Sequence, residues 1–236
     1  MANLRKGVLN KIDNFLSKQK YSYAVLIVDD GSDDGSSEFV ESFTAENPKF
    51  RLIKNTHMGK AGAVTTGMLE AKGEIRLFTD MDQATPIEEI NKFIPLFSDY
   101  DIVIGSRNNE RKNAPLSRKI MARGFVVLRD VIVGLKDISD TQCGFKAFKS
   151  DAAEKVFKKV ADFHKGFREV SGSSVTASFD VELLFLAQEM GFKIKEVPVE
   201  WLHVETRRVG IVKDSIEGLT GLFAIRSNSI LGKYKI

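Results

Sequence analysis

Cysteine is nearly absent from this sequence, which contains Cys143 alone. A disulfide framework and a metal cluster built on cysteine are therefore excluded, and a reducing compartment is expected. Long apolar stretches are absent too, because no run reaches the roughly 18 apolar residues that a membrane-spanning helix needs. The first residues also lack the apolar segment of a secretory signal. We therefore expect a cytoplasmic protein that meets any membrane peripherally, on its cytoplasmic face.

Net charge and histidine are also scarce. A formal charge of +3 over 236 residues is too small to indicate nucleic-acid binding, so no nucleic-acid partner is predicted. The histidines, His57, His164 and His203, do not have metal-ligand spacing, and we expect surface or core roles for them. Positive charge is concentrated in residues 107–136, which contain eight basic and two acidic residues. That segment is interpreted either as a solvated helix face or as a surface for phosphate or anionic lipid.

Apolar, β-branched runs alternate with helical patterns along most of the chain. This alternation predicts an α/β fold with a mostly parallel, Rossmann-like sheet flanked by helices. The predicted strands are 23–28, 50–54, 75–79, 101–105 and 194–201, and the main predicted helices are 36–45, 59–72, 116–135 and 179–190. From residue 210 onward, apolar residues at helical spacing mix with basic ones, which predicts C-terminal amphipathic helices. We therefore divide the chain into a domain over 1–203 and a membrane-interface tail over 204–236.

Two aspartates directly follow the predicted strand 75–79. Asp80 and Asp82 are separated by one residue and precede a predicted helix start. Ligands of such sheets bind beyond the carboxyl ends of the strands, and carboxylate oxygens are suitable ligands for Mg²⁺ or Mn²⁺. The position of the pair favours a metal site for a diphosphate over an ordinary surface turn, which the pattern alone would also allow.

Two further motifs follow the first two predicted strands. Asp29 and Asp30 end the run 23–28, and they are interpreted either as a loop with a helix cap or as a contact to a nucleoside. Gly59 and Lys60 open a glycine-rich helix start. Their backbone N–H groups and the ammonium could meet phosphate, whereas the structural interpretation, close packing of helix on sheet, is slightly favoured.

Together these motifs identify a family. The chain resembles family 2 glycosyltransferases, in particular the dolichyl-phosphate glucosyl- and mannosyltransferases and bacterial polyprenyl-phosphate glycosyltransferases. The resemblance spans most of the chain, and its most specific part is the Asp140–Lys146 block. The matching stretches are Val28-Asp29-Asp30-Gly31-Ser32, Gly59-Lys60-Ala61-Gly62-Ala63-Val64, Phe78-Thr79-Asp80-Met81-Asp82, Gly105-Ser106-Arg107, Asp140-Thr141-Gln142-Cys143-Gly144-Phe145-Lys146, Phe179-Asp180-Val181-Glu182-Leu183 and Glu196-Val197-Pro198-Val199-Glu200-Trp201.

The resemblance implies a GT-A-like fold and an inverting transfer of a hexose from a nucleotide diphosphate sugar to a polyprenyl phosphate at a membrane surface. UDP-glucose and GDP-mannose both remain open as donors, and so does assembly into a homo-oligomer. The implied roles are metal binding for Asp80 and Asp82, donor binding for Asp29, Asp30, Gly59, Lys60 and Asp80, binding of the lipid phosphate for Arg107 and Arg118, positioning or activation of the acceptor for Asp140, and the place of a base for Asp180.

One departure from the family pattern keeps other hypotheses open. The family begins with an apolar strand that ends in Pro-x-x-Asn-Glu, whereas this chain begins at a predicted helix, 4–16. The sequence therefore predicts a domain without its first strand, either active or a non-catalytic remnant. A transferase with a soluble acceptor is a further alternative. A phospho-accepting receiver module is disfavoured, because such modules are much shorter and do not need Asp82.

Overall fold

The computed structural model describes residues 1–107, 116–165, 167, 178–202 and 211–235. Helices and strands alternate along this part of the chain, as the apolar periodicity predicts. The α-helices are α1 (Ala2–Arg5), α2 (Val8–Leu16), α3 (Ser36–Glu46), α4 (Gly59–Glu70), α5 (Ile90–Phe93), α6 (Leu116–Val133), α7 (Ser150–Phe163), α8 (Phe179–Glu189) and α9 (Ile211–Ile230), with 3₁₀ turns at Ile87–Glu89 and Ile94–Ser98. The expected domain boundary at 203/204 lies outside the described residues.

The strands of the described residues form two sheets. They are β1 (Val25–Asp29), β2 (Phe50–Lys54), β3 (Ile75–Thr79), β4 (Ile102–Ser106), β5 (Phe145–Lys149) and β6 (Ile194–Pro198). Strands β1 and β2 pair in parallel, with Val25 opposite Phe50. The other four strands form a sheet in the order β3-β5-β4-β6.

Strand β5 corrects one detail of the expected sheet. It runs antiparallel to both of its neighbours, β3 and β4, whereas β4 and β6 are parallel. The physical reason lies in the segment before it, residues 134–144, which returns to the carboxyl end of β4, where Asp140 contacts Arg107. The chain therefore enters β5 from that end. Strands β3, β4 and β6 still share one direction, so the sheet is mixed rather than purely doubly wound.

Apolar side chains pack in two clusters. One contains much of α7 and α8, and the other contains α2, Phe93 and Phe145. Strand β4 is buried along its whole length, because it lies between β5 and β6. Nine of the eleven residues of α8 are buried, including Asp180 and Glu182. No helix within the described ranges is long and apolar enough to cross a membrane.

Candidate active site

A polar cavity of about 190 Å³ opens where β3 and β4 end. Its walls include Asp80, Asp82, Arg107, Gln142, Gly144 and Trp201. The topology explains this grouping. Since β3 and β4 run in the same direction, the residues that follow them emerge at one edge of the sheet. The reversed strand β5 begins at that edge and therefore contributes the turn that contains Gln142 and Gly144.

Asp80 is held between a cation and a glycine. Its Oδ1 lies 2.7 Å from the ammonium of Lys60, at the start of α4. On its other side is Gly144, where an added Cβ would overlap the Asp80 carboxylate. The sequence motif around Gly144 is therefore explained by a close approach that only glycine allows. Lys60 and Asp80, which were predicted on separate motifs, meet in the structure.

Asp82 completes the predicted pair of carboxylates. Its Oδ1 accepts a hydrogen bond of 3.0 Å from the Ala84 backbone, and its residue lines the same cavity as Asp80. Within the described ranges no group of three or more His, Cys, Asp or Glu side chains could hold a metal. Two carboxylates still fit Mg²⁺ or Mn²⁺, because such ions are commonly held by one or two carboxylates together with substrate phosphates. The ion pair with Lys60 places one positive charge beside Asp80 in this structure.

Asp30 has a structural role in this fold. The sequence left two interpretations open, a helix cap or a contact to a nucleoside. Its carboxylate accepts hydrogen bonds from the backbone N–H groups of Met58 (2.9 Å) and Gly59 (2.7 Å), and lies 3.0 Å from His57 Nδ1. Asp30 thus caps the amino terminus of α4, which the helix dipole favours. The Gly59 N–H is already used in this bond, at a backbone φ of 75°. Donor binding by Asp30 and Gly59 stays a prediction.

Asp29 is bound to the loop that follows β1. Its carboxylate accepts hydrogen bonds from the Ser32 backbone, at 3.1 Å, and from the Ser37 hydroxyl. Partial burial acts to raise the pKa of Asp29, but these hydrogen bonds outweigh it and lower the pKa below its ordinary value. Asp29 is therefore an anion that orders its own loop. A contact from this loop to a nucleoside stays a prediction.

Arg107 is held in place by Asp140. The guanidinium donates two hydrogen bonds of 2.8 Å to the two oxygens of Asp140, and the Arg107 backbone donates a third of 3.0 Å. The Asp140 side chain is 2% exposed, whereas that of Arg107 is 21% exposed and reaches the cavity. Burial opposes the charge, but Asp140 raises the pKa of Arg107 above its ordinary value. Asp140 therefore positions a permanent cation, and this arrangement favours positioning over activation of the acceptor.

Glu196 supports Asp140 from the neighbouring strand β6. Its carboxylate accepts hydrogen bonds from the Asp140 backbone (2.6 Å), the Ser139 backbone (3.0 Å) and the Ser139 hydroxyl (2.7 Å). Glu196 lies within one of the family motifs, but the motif by itself indicates no role for it. The pairing of β4 with β6, which places Ile104 opposite Glu196, could not be derived from the chain order.

Asp180 is bound by a buried lysine that sequence reasoning also left without a role. The ammonium of Lys146 is fully buried and lies 2.5 Å from Asp180 Oδ1 and 2.6 Å from the Cys143 carbonyl. Glu182 points elsewhere, since it contacts His164 at 2.7 Å and accepts a hydrogen bond of 2.6 Å from the Tyr234 hydroxyl. Two residues on one helix at this spacing diverge, as expected. The Arg118 side chain and His203 lie outside the described residues.

Comparisons with known proteins show which family this chain resembles. The family model described as "Glycosyl transferase family 2" matches residues 3–157. A dolichyl-phosphate beta-glucosyltransferase of Dictyostelium discoideum is 31% identical over 230 residues, 92% of this chain and 66% of that protein. One of Saccharomyces cerevisiae is 32% identical, over 92% of this chain and 69% of that protein.

The fold has a counterpart among solved structures. A mannosyltransferase from Pyrobaculum calidifontis, in complex with GDP-Man and Mn²⁺, matches with a TM-score of 0.58 and 20% identity, over 92% of this chain and 59% of that chain. The present chain spans 59% to 69% of the length of the first three curated relatives. These comparisons confirm the α/β, GT-A-like fold and the resemblance drawn from the sequence.

Proposed function

This chain belongs to glycosyl transferase family 2, and we propose that it transfers a hexose, with inversion, from a nucleotide diphosphate sugar to a polyprenyl phosphate such as dolichyl phosphate. UDP-glucose is the proposed donor, because the named relatives are glucosyltransferases. The observation that carries the proposal is that Asp80, Asp82 and Arg107 line one and the same cavity. Carboxylates for a cation and a guanidinium for an anion are the two elements that this reaction needs.

Arg107 is the proposed contact for the acceptor phosphate. A guanidinium binds phosphate oxygens through paired hydrogen bonds, and Asp140 and Glu196 hold it at the cavity wall. The phosphate of the acceptor is anionic at neutral pH, so strong base catalysis is unnecessary. The reaction instead requires that the acceptor phosphate is positioned and that developing charge is stabilised. Arg118 is proposed as a second contact.

Asp80 and Asp82 are the proposed ligands of Mg²⁺ or Mn²⁺. When bound there, the ion would neutralise charge on the departing nucleotide diphosphate. Lys60 lies beside Asp80 and adds a second positive charge for the diphosphate. The loop of Asp29 and Asp30, at the end of β1, is the proposed support for the nucleoside.

Calorimetric titration tests the donor site. We expect donor binding only when Mn²⁺ is present, and UDP-glucose should bind more tightly than GDP-mannose. We expect Asp80→Asn to abolish donor binding. The matched control is Asp151→Asn, which changes an exposed carboxylate on α7 paired with Lys155 and should bind as the unchanged protein does. Product formation from dolichyl phosphate tests the acceptor. A folded protein that binds neither donor would contradict the proposal.

A peripheral membrane contact is proposed for the surface of α6 and α9, which pack against each other. Both helices expose apolar side chains, namely Val131 (78%) on α6 and Phe223 (61%) and Ile230 (70%) on α9. An amphipathic helix that lies in a membrane interface buries such exposed apolar side chains below the headgroups. The tail 204–236 would thereby hold the domain on the cytoplasmic face, near its lipid acceptor.

Vesicle co-sedimentation tests this surface. The double variant Phe223→Asp/Ile230→Asp should lose binding to vesicles of phosphatidylcholine and phosphatidylserine. A matched control is Phe39→Asp, since Phe39 is an exposed aromatic residue on α3, and it should bind normally. Unchanged binding by the double variant would exclude this surface as the contact.

A further inference from the structure

Trp201 is the single tryptophan of the chain, and it lines the cavity that also contains Asp80, Asp82 and Arg107. The residue is half-buried. An aromatic side chain has a large, flat apolar face, whereas the charged walls of this cavity attract ions. Trp201 is therefore suited to a part of a ligand that carries no charge.

The backbone is fixed on both sides of Trp201. Before it, the N–H of Val199 donates a hydrogen bond of 3.1 Å to the Ser106 carbonyl at the end of β4. After it, the N–H of Leu202 donates one of 2.7 Å to the carbonyl of Ala84, in the turn that follows β3. The segment thus crosses the edge of the sheet at which the cavity opens. Such backbone support favours a rigid wall over a mobile side chain.

The turn after β3 connects Trp201 with the proposed metal site. The N–H of Ala84 donates a hydrogen bond of 3.0 Å to Asp82 Oδ1, while its carbonyl accepts the one from Leu202. Ala84 therefore links the Asp82 carboxylate directly to the Trp201 segment. A diphosphate whose cation is bound by Asp80 and Asp82 has Trp201 in the same cavity.

The nucleoside and Trp201 belong to different sides of Asp80. On one side is α4, which packs on β1 and β3, and whose residue Lys60 contacts Asp80. Asp30 caps this helix, and its loop is the proposed support for the nucleoside. The segment of Trp201 is bound instead to the ends of β4 and β3, on the side of Arg107. The hexose, at the opposite end of the diphosphate from the nucleoside, thus comes to the side of Trp201.

We propose that the indole of Trp201 stacks on the hexose of the donor. One face of a pyranose ring consists mainly of C–H groups, whose hydrogens carry slight positive charge, and the face of an aromatic ring is negative. The hexose has to lie between the diphosphate at Asp80 and the acceptor phosphate at Arg107, because its anomeric carbon passes from one to the other. Trp201 thereby orients the sugar and distinguishes the intact donor from the free nucleotide. This inference rests on the proposed function.

The fluorescence of Trp201 tests the contact in the full chain, because no other tryptophan contributes. With Mn²⁺ present, UDP-glucose should change the emission of Trp201 more than UDP does when each saturates the site, as checked by calorimetry. GDP-mannose is compared with GDP in the same way. Farnesyl phosphate, a short polyprenyl phosphate, should cause no comparable change when it is added without donor. This comparison needs no variant, so it does not depend on the folding of one.

Calorimetry measures how much the contact contributes to donor affinity. Trp201→Ala should weaken the binding of UDP-glucose by about tenfold, the scale of one aromatic stacking contact, and that of UDP by less than about twofold. Trp201→Phe keeps an aromatic face and should recover most of the lost affinity. The matched control is Tyr21→Ala. Tyr21 is an exposed aromatic residue that precedes β1, at the opposite end of that strand from Asp29, and its replacement should leave both affinities unchanged.

The outcomes separate this contact from the proposed function. A loss of affinity confined to UDP-glucose, with recovery in Trp201→Phe, supports the stacking. Equal weakening of UDP and UDP-glucose means that Trp201 only supports the turn of Ala84, and it overturns the inference while the proposed function stands. The same holds if donor and nucleotide change the fluorescence equally, or if farnesyl phosphate changes it as much as the donor does, because Trp201 would then face the acceptor. If neither donor and neither nucleotide binds with Mn²⁺, the proposed function fails together with the inference.

Discussion

The buried ion pair between Arg107 and Asp140 offers a quantitative test of how the cavity is held together. Replacing Asp140 by Asn keeps the size of the side chain but removes its charge. One of its two oxygens is replaced by an amide nitrogen, which cannot accept the hydrogen bond of 2.8 Å that the guanidinium of Arg107 donates to that oxygen. The perturbation therefore leaves a largely buried guanidinium without its counter-ion.

The expected loss follows from burial. Removing one partner of a buried pair costs about 3–5 kcal/mol, and the 21% exposure of the Arg107 side chain places this site near the lower end. For a chain of this size, ~3 kcal/mol corresponds to a fall in melting temperature of about 6–12 °C. The KM for the lipid phosphate should rise more than kcat falls, because Arg107 is the proposed phosphate contact.

Thermal unfolding and steady-state kinetics measure the two effects. The variant Arg107→Met/Asp140→Asn removes both charges and should be more stable than Asp140→Asn alone, since no unpaired cation remains. The exposed pair of Asp151 and Lys155 supplies the control, because Asp151→Asn should change stability by less than about 0.5 kcal/mol. If Asp140→Asn melted like this control, the ion pair would not hold the cavity wall.

Three further predictions concern the same region. Glu196→Gln should raise the KM for the acceptor phosphate several-fold with little change in donor affinity, since it loosens the segment that holds Asp140; equal effects on both affinities would contradict this role. Gly144→Ala should weaken donor binding in calorimetry by about tenfold or more, equal to about 1.4 kcal/mol, because a Cβ there overlaps the carboxylate of Asp80, a proposed metal ligand. Its control, Gly124→Ala, adds a Cβ with nothing within 4 Å. Burial, aided by Asp140, raises the pKa of Cys143. The unfolded thiol therefore ionises first, and the free energy of unfolding should fall above about pH 8.5 more steeply than in Cys143→Ala, as urea titration at several pH values can show.

The positions of Asp80 and Asp82, the proposed metal ligands, could be predicted from the chain order. Asp80 and Asp82 follow an apolar run, and the structure puts them at the end of β3, beside the cavity that the sheet topology predicts. The period of the apolar residues determines where strands end, and the carboxyl ends of strands that share a direction meet at one edge. Local pattern was therefore sufficient for this half of the site.

The direction of β5 and the partners of the charged residues required the tertiary structure. The sequence placed Asp30 at a strand end and left two interpretations open. The structure shows its carboxylate bound to the N–H groups of Met58 and Gly59, 28 and 29 residues further along the chain. Likewise, Lys146 lies in a motif with Asp140 but binds Asp180, 34 residues away.

The sequence by itself determined the family, the α/β class and the strand ends that carry the acidic residues, because these follow from motifs and from short-range periodicity. Only the tertiary structure determined which oppositely charged side chains form ion pairs. Ion pairs form between residues distant along the chain, and strand order and direction bring them together, as when β5 inserts antiparallel between β3 and β4. Aspartates that look equivalent in the sequence motifs therefore have different roles. Asp30 caps a helix, Asp140 holds Arg107, and Asp180 pairs with the buried Lys146.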